Sequence, residues 1–406
     1  MEVLLVHPNF PGQFRRIAGA LARMPGVRVI GVGDSSWMNA TAKVPDVPVI
    51  AYPAPPRSGD STHPYVRSFD EAVRRGQQVI QTLAAYKQQG LEPDVIVAHP
   101  GWGDAFFLRE FFPGARIVGL FEYYYHARGA DVGFDPETPS KLEDVFRLRM
   151  LNTTQLLALD SCDEGFSPTE WQRSRFPAMW QERLSVLHEG IDTARVAPDA
   201  GASFTLPNGA VLKAGDEVLT YVSRDLEPYR GFHVFMRALP AILQARPQCQ
   251  VLIVGADGSS YGPKAVGAES HRQKYLAEVA GKLDLSRMHF LGALPFGDYV
   301  KVLQVSRLHV YLTYPFILSW SMLEAMSAGC LVLASSTPPV EEVITDGENG
   351  LLFPFRSHDV LATRAIDALS TPESFTRLRQ RARESVVRKY DFETVSLPAY
   401  LQMLKA

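Results

Sequence analysis

Cysteine is scarce in this chain, with three in 406 residues. Cys162, Cys249 and Cys330 are too far apart for metal-ligand spacing, and they suit a reducing cytosol better than a disulfide scaffold. Long hydrophobic runs are missing, so no segment is expected to span a bilayer. Peripheral contact with the inner face of a membrane stays open. An excess of charge is missing too: the formal net charge is -3, which gives no electrostatic case for a nucleic-acid partner. The opening MEVLLVHPNF has no basic stretch before its short apolar run, and is expected to be a first strand rather than a signal peptide. Internal repeats at solenoid periods and low-complexity tails are absent as well.

What is present is an ordinary globular composition, 46% hydrophobic and 21% charged, over a length that suits two domains. Short apolar runs alternate with longer helical patterns, which is the signature of parallel sheets built from βαβ units. EVLLVH, VRVIGVGD, PVIAYP, PDVIVAH and ARIVGLFE read as strands of a first series. Phe14, Ile17, Ala18 and Leu21 fall on one face of a helix after the first strand. Further helices are expected over about 68–89 and 140–159. VLTYVSR, QVLIVGAD, MHFLGAL, RLHVYLTYP and CLVLASS form a second series. Between the two lies a Gly-, Pro- and Ala-rich stretch holding a small hairpin, FTLPNGAVL, with its turn at Asn208-Gly209. The boundary falls near 190–217. In open parallel sheets ligands bind beyond the carboxyl ends of the strands, so the loops there hold the candidates.

One such loop is YPFILSWSMLEAMSAGC, from Tyr314. Ser319 fits as a helix N-cap. The backbone amides at Trp320 and Ser321 would then lack helical acceptors and suit a phosphate. Glu324, one turn further in, could accept two hydrogen bonds from a ribose diol, or be a solvated helix former. A second loop is YVSRDLEPYRGF. Arg224 and Arg230 could clamp a diphosphate, or pair with Asp225 and Glu227 as surface salt bridges. From the residues alone both readings stand.

Together these stretches resemble glycosyltransferase family 4, retaining nucleotide-sugar transferases. HPNFPGQF resembles the family's N-terminal glycine loop, HEGIDT its domain-junction element, GENGLLFPF its late glycine stretch and KYDFETV the segment before its last helix. The resemblance implies an α/β GT-B fold: two Rossmann-like domains whose parallel sheets face an interdomain cleft. The domains would span 1–190 and 191–390, with a helix over 391–406 returning to the first. It implies that Arg224 and Arg230 hold the donor diphosphate, that amides of Ser319, Trp320 and Ser321 meet the distal phosphate, and that Glu324 holds the ribose. The base would lie beside Ala293 and Leu294. The donor would be UDP- or GDP-linked, with no metal. The acceptor would be a glycan or a lipid-linked hydroxyl, as in cytoplasmic polysaccharide biosynthesis.

Three positions depart from the family pattern. Phe316 stands where a first motif glutamate is usual, which touches the donor-sugar reading directly. Arg230 replaces a lysine. Gly12 is single where two glycines are common, and Gln13 after it is a candidate contact for phosphate or sugar. Where relatives often carry a histidine near the reacting sugar, this chain offers Glu122, preferred as nearer the strand end, and His126. A buried pair of Glu122 with Arg128 is the competing reading. His99, with Gly101, is a cleft-lining candidate. Other enzymes of the same fold, an epimerase or a phosphorylase, and a non-catalytic partner subunit are the rival functions.

Overall fold

The computed structural model describes residues 1–38 and 43–405. The chain divides into two compact units: Met1–Gly190 with the C-terminal segment from Phe392, and Ile191–Asp391. Ala406, the last residue of the expected C-terminal helix, lies outside the described residues.

The first unit is a parallel sheet of seven strands: β1 (Glu2–Val6), β2 (Arg28–Asp34), β3 (Val49–Tyr52), β4 (Val95–Ala98), β5 (Arg116–Leu120), β6 (Glu164–Ser167) and β7 (Leu184–Val186). Their order across the sheet is 3-2-1-4-5-6-7. Both faces are covered, which explains why β1 is a continuous apolar run rather than an alternating one. Its residues still divide by the two-residue period of a strand. Leu4 and Val6 join one core with Val79 and Leu83 of the helix Arg67–Gln88. Val3 and Leu5 join the opposite core, with Ile17 and Leu21 of the helix Arg15–Ala22. That second core also takes Tyr400, Met403 and Leu404 of the helix Leu397–Lys405.

The second unit opens on the antiparallel pair β8 (Ser203–Thr205) and β9 (Val211–Lys213), with Gly209 in the left-handed region at φ 87°. Six parallel strands follow: β10 (Val218–Asp225), β11 (Gln250–Ala256), β12 (Met288–Gly292), β13 (Leu308–Tyr311), β14 (Leu331–Ser335) and β15 (Leu351–Phe353). Their order is 12-11-10-13-14-15. Each sheet therefore reverses direction at its middle, between β1 and β4 in one unit and between β10 and β13 in the other. Chain connections diverge there and leave a crevice at the carboxyl ends.

Two expectations need correction. The helix expected over 140–159 is two helices, Leu142–Leu151 and Thr153–Ser161. The break is at Asn152, whose side chain accepts from the Tyr125 amide at 2.9 Å and donates to the Tyr125 carbonyl at 2.8 Å. Strand β5 ends at Leu120, so Glu122 lies on the loop beyond it and not at the strand terminus. The three cysteines are free and buried. Among the described residues, no helix is long and apolar enough to cross a membrane.

Candidate active site

In the second unit the crevice is built from the loops after β10 and β13. Arg230 sits in a turn that ends at Gly231, which has φ 66° and where a Cβ would come within 2.4 Å of Leu312. Only glycine lets the chain pass there. The Tyr221 hydroxyl donates to the Arg230 carbonyl at 2.6 Å and fixes the turn from below. The guanidinium is 7% exposed, and its Nη1 donates to Thr313 Oγ1 at 2.8 Å and to the Ile317 carbonyl at 3.0 Å. No carboxylate pairs with it among the described residues. A buried cation without a counter-anion is costly, and this one lies where an anionic ligand is expected. Arg224, next to last in β10, is exposed and makes no ion pair among the described residues.

Asp225 and Glu227 do not pair with the arginines. They tie down the loop after β11. Glu227, fully buried, accepts from the amides of Ser260 at 3.1 Å, Tyr261 at 3.2 Å and Gly262 at 2.9 Å. Asp225 accepts from the Gly258 amide at 3.1 Å and from the Ser260 hydroxyl. The tethered loop sets the Tyr261 ring 5.2 Å from the Arg230 guanidinium. Phe316 is 4% exposed, turned in between Tyr229 and Tyr261 at centroid distances of 5.6 and 5.1 Å.

The helix Trp320–Ser327 starts at Ser319, whose Oγ accepts from the Ser321 amide at 3.3 Å. The Ser319 amide donates to the Tyr311 hydroxyl at 2.9 Å. Two of the three amides assigned to phosphate thus already have acceptors. Glu324 is 5% exposed and accepts from the Tyr299 hydroxyl at 2.8 Å. Leu294 packs against the same apolar cluster as Tyr299, Met322 and Leu323, and Ala293 beside it is exposed. The structure thus joins Arg230, Phe316 and Ser319 around one crevice, and links Glu324 to the 293–294 loop through Tyr299.

In the first unit the loops after β1, β4 and β5 bring four polar side chains into a chain of hydrogen bonds. His7 Nδ1 accepts from the Asn9 amide at 3.0 Å, so its proton is on Nε2, which donates to Gln13 Oε1 at 2.7 Å. Gln13 Nε2 donates to Glu122 Oε1 at 3.0 Å. His99 Nδ1 accepts from the Gly101 amide at 3.3 Å, and its Nε2 donates to Glu122 Oε2 at 3.3 Å. Burial alone would raise the Glu122 pKa, but the hydrogen bond from His99, the electrostatic pull of the His99 and His7 rings and the hydrogen bond from Gln13 outweigh it and hold the carboxyl below its usual range. The Glu122 carbonyl accepts from Gln172 Nε2 at 2.7 Å, which fixes the loop itself. Gly12, at φ 44°, is obligatory because a Cβ would meet the His7 ring at 2.6 Å. His126 stands apart, its Nε2 bonded to the Arg175 carbonyl at 2.7 Å.

His7, Tyr299 and Glu227 are the residues sequence reasoning missed or misassigned. His7 follows β1 directly, at the start of the quoted HPNFPGQF loop, a position that marks it as a candidate. Tyr299 gives no local signal, because its partner is 25 positions away.

Similarity to known proteins agrees with this layout. Over the whole chain, the structure resembles sucrose-phosphate synthase from Thermosynechococcus elongatus (TM-score 0.75, 18% identity, 99% of that chain covered). It also resembles Anabaena HepE solved with UDP and glucose (TM-score 0.67, 16% identity, both chains fully covered). Two parallel α/β units of this order give the molecule the GT-B fold. Residues 29–196 match the family description "Glycosyl transferase family 4 group", and residues 206–385 match "Glycosyl transferases group 1". The phosphatidyl-myo-inositol mannosyltransferase of Mycobacterium tuberculosis is 29% identical over 375 residues, covering 82% of this chain and 89% of the relative. The chain belongs to glycosyltransferase family 4.

Proposed function

We propose that this glycosyltransferase is retaining, and that it moves a hexose-type sugar from a UDP- or GDP-linked donor to a hydroxyl of a glycan or lipid-linked acceptor. The observation that carries the reading is Arg230, a buried guanidinium with no carboxylate partner among the described residues, at the switch point of the second sheet. A diphosphate supplies the missing anion. Arg224 adds a second, exposed cation. As the bond from the anomeric carbon to the donor phosphate oxygen breaks, negative charge grows on the diphosphate, and fixed cations stabilise it. The acceptor oxygen bonds the anomeric carbon on the same face, and its proton passes to a departing phosphate oxygen. Glu324, held by Tyr299, takes the ribose, and the base lies along Ala293 and Leu294.

The first unit serves the reacting sugar and the acceptor. Glu122 is ionised at neutral pH and has its carboxylate aimed by Gln13 and His99. It accepts hydrogen bonds from sugar hydroxyls and offsets positive charge at the anomeric centre. Two relatives support the chemistry by name: the mycobacterial one is called a phosphatidylinositol mannosyltransferase, and HepE was solved with UDP and glucose. Peripheral contact with a membrane suits this reading where the acceptor is lipid-linked. The test is a panel of UDP- and GDP-sugars with glycan and polyol acceptors, read as nucleoside diphosphate release. Release that depends on acceptor supports transfer. Conversion of the donor to another nucleotide sugar without release would indicate an epimerase instead.

A further inference from the structure

Beside the Glu122 cluster lies an aromatic corner that nothing above uses. Trp102, in the turn after β4, lies tilted against His99, with ring centroids 4.5 Å apart and 31° between planes. It also lies 5.7 Å from the His7 ring. Trp37, just after β2, meets Trp102 nearly at right angles, 84°, at 6.0 Å. The two indoles are 36% and 44% exposed, unusual for the largest apolar side chain of a protein.

Their placement is enforced from beneath. Arg75 lies 4.6 Å over the Trp37 ring, and its Nη1 donates to buried Asp34 at 2.7 Å and to the Tyr52 hydroxyl at 3.1 Å. Gly103, at φ 94°, closes the Trp102 turn where a Cβ would come within 2.2 Å of the Ala72 carbonyl. A buried ion pair under one ring and a glycine-only turn under the other keep both rings at the carboxyl edge of the sheet.

We propose that Trp102 and Trp37 form a stacking platform for the ring of a cyclic polyol, a pyranose or a cyclitol, in the acceptor. The inference rests on the reading of the Glu122 cluster as the sugar-facing side of a transferase. The apolar face of such a ring, made of axial C–H groups, lies flat on an indole, while its equatorial hydroxyls point sideways to hydrogen-bonding groups. The corner offers both kinds of contact at once: the Trp102 indole lies against His99, which holds the Glu122 carboxylate. An acyclic polyol or a bare alkyl alcohol has no flat apolar face and gains nothing from the corner. The platform therefore sets acceptor class.

Saturation-transfer NMR on the full chain tests this with methyl α-D-mannopyranoside, methyl α-D-glucopyranoside and glycerol. Wild type should saturate ring C–H protons of a cyclic probe and leave glycerol unsaturated. Trp102→Ala should lose the signal, Trp37→Ala should weaken it, and Trp102→Phe should retain it. In turnover with a cyclic acceptor, Trp102→Ala should raise the acceptor KM by about tenfold or more. Equal saturation in wild type and Trp102→Ala, no saturation in wild type, or equal saturation of glycerol would each overturn the platform. Should the wild type release no nucleoside diphosphate from any donor while Trp102-dependent ring binding persists, the transfer reading falls and the platform stands as a sugar site.

Discussion

Replacing Arg230 with methionine separates a structural cation from a ligand-binding one. The side chain keeps its volume and loses its charge. In the free protein the change removes hydrogen bonds to Thr313 Oγ1 and the Ile317 carbonyl. Bonds from a charged donor are worth on the order of 1.5 kcal/mol each, so about 3 kcal/mol is lost. The change also removes a buried guanidinium without a counter-anion, whose desolvation costs several kcal/mol. The two effects are similar in size and opposite in sign. A net change within about 1 kcal/mol moves Tm by roughly 2–4 °C in a domain of this length. With a diphosphate bound the balance differs, because only the attraction is lost. Removal of such a contact costs about 3 kcal/mol, roughly a hundredfold in rate. Differential scanning fluorimetry with and without UDP and GDP, beside turnover, reads both. The expected variant keeps its Tm to within a few degrees, loses the nucleotide-induced shift and turns over about a hundredfold more slowly. A large drop in Tm with the nucleotide shift intact would refute the reasoning and make Arg230 a structural strut.

Glu227→Gln places an amide N–H against the amides of 260–262, and should lower Tm by about 5 °C or more; it should also speed tryptic cleavage after Lys264, which is exposed on the same loop, and an unchanged digest would show that the loop does not depend on this carboxylate. Phe316→Glu buries an unpaired carboxylate among Tyr229 and Tyr261, so a lower Tm with unaltered donor choice is expected, whereas a stable variant with new donor preference would put this ring on the sugar. Asp104 is fully buried, and burial, outweighing its Tyr52 hydrogen bond and the Arg75 charge, raises its pKa to about 6. The folded state then holds this proton more tightly than the unfolded one, so this group's contribution is complete below its ordinary value near 4 and is lost as pH rises through about 6. Asp104→Asn should therefore gain stability over wild type at pH 7.5, on the order of 2–3 kcal/mol, and gain little at pH 4; equal gains in chemical denaturation at both pH values would contradict the assignment.

The parts legible in the sequence were those written in local periodicity. Continuous apolar runs gave the central strands, because both faces of each sheet are covered. Asn208-Gly209 gave the hairpin turn. What escaped reading depends on partners distant in sequence. Asn152 splits a helix because its amide fits the Tyr125 backbone, and no periodicity reports that. Asp225 and Glu227 looked like salt-bridge partners of neighbouring arginines. Their acceptors' true donors are backbone amides more than 30 positions ahead. Glu122 and His126 were alternatives four residues apart, and only the fold shows which one meets Gln13 and His99. Short β15 carries too few residues for its apolar pattern to stand out beside the preceding turn.

The most direct test of retaining transfer at the Arg230 crevice is the configuration of the product. Wild-type protein is incubated with the α-linked UDP- or GDP-sugar that releases nucleoside diphosphate fastest, and with a cyclic polyol acceptor. The anomeric proton of the isolated product is then read by NMR. The expected result is an α-linked product formed in equal amount to the nucleoside diphosphate, with both lost together in Arg230→Met. A β-linked product, or α-product formed undiminished by Arg230→Met, would contradict it.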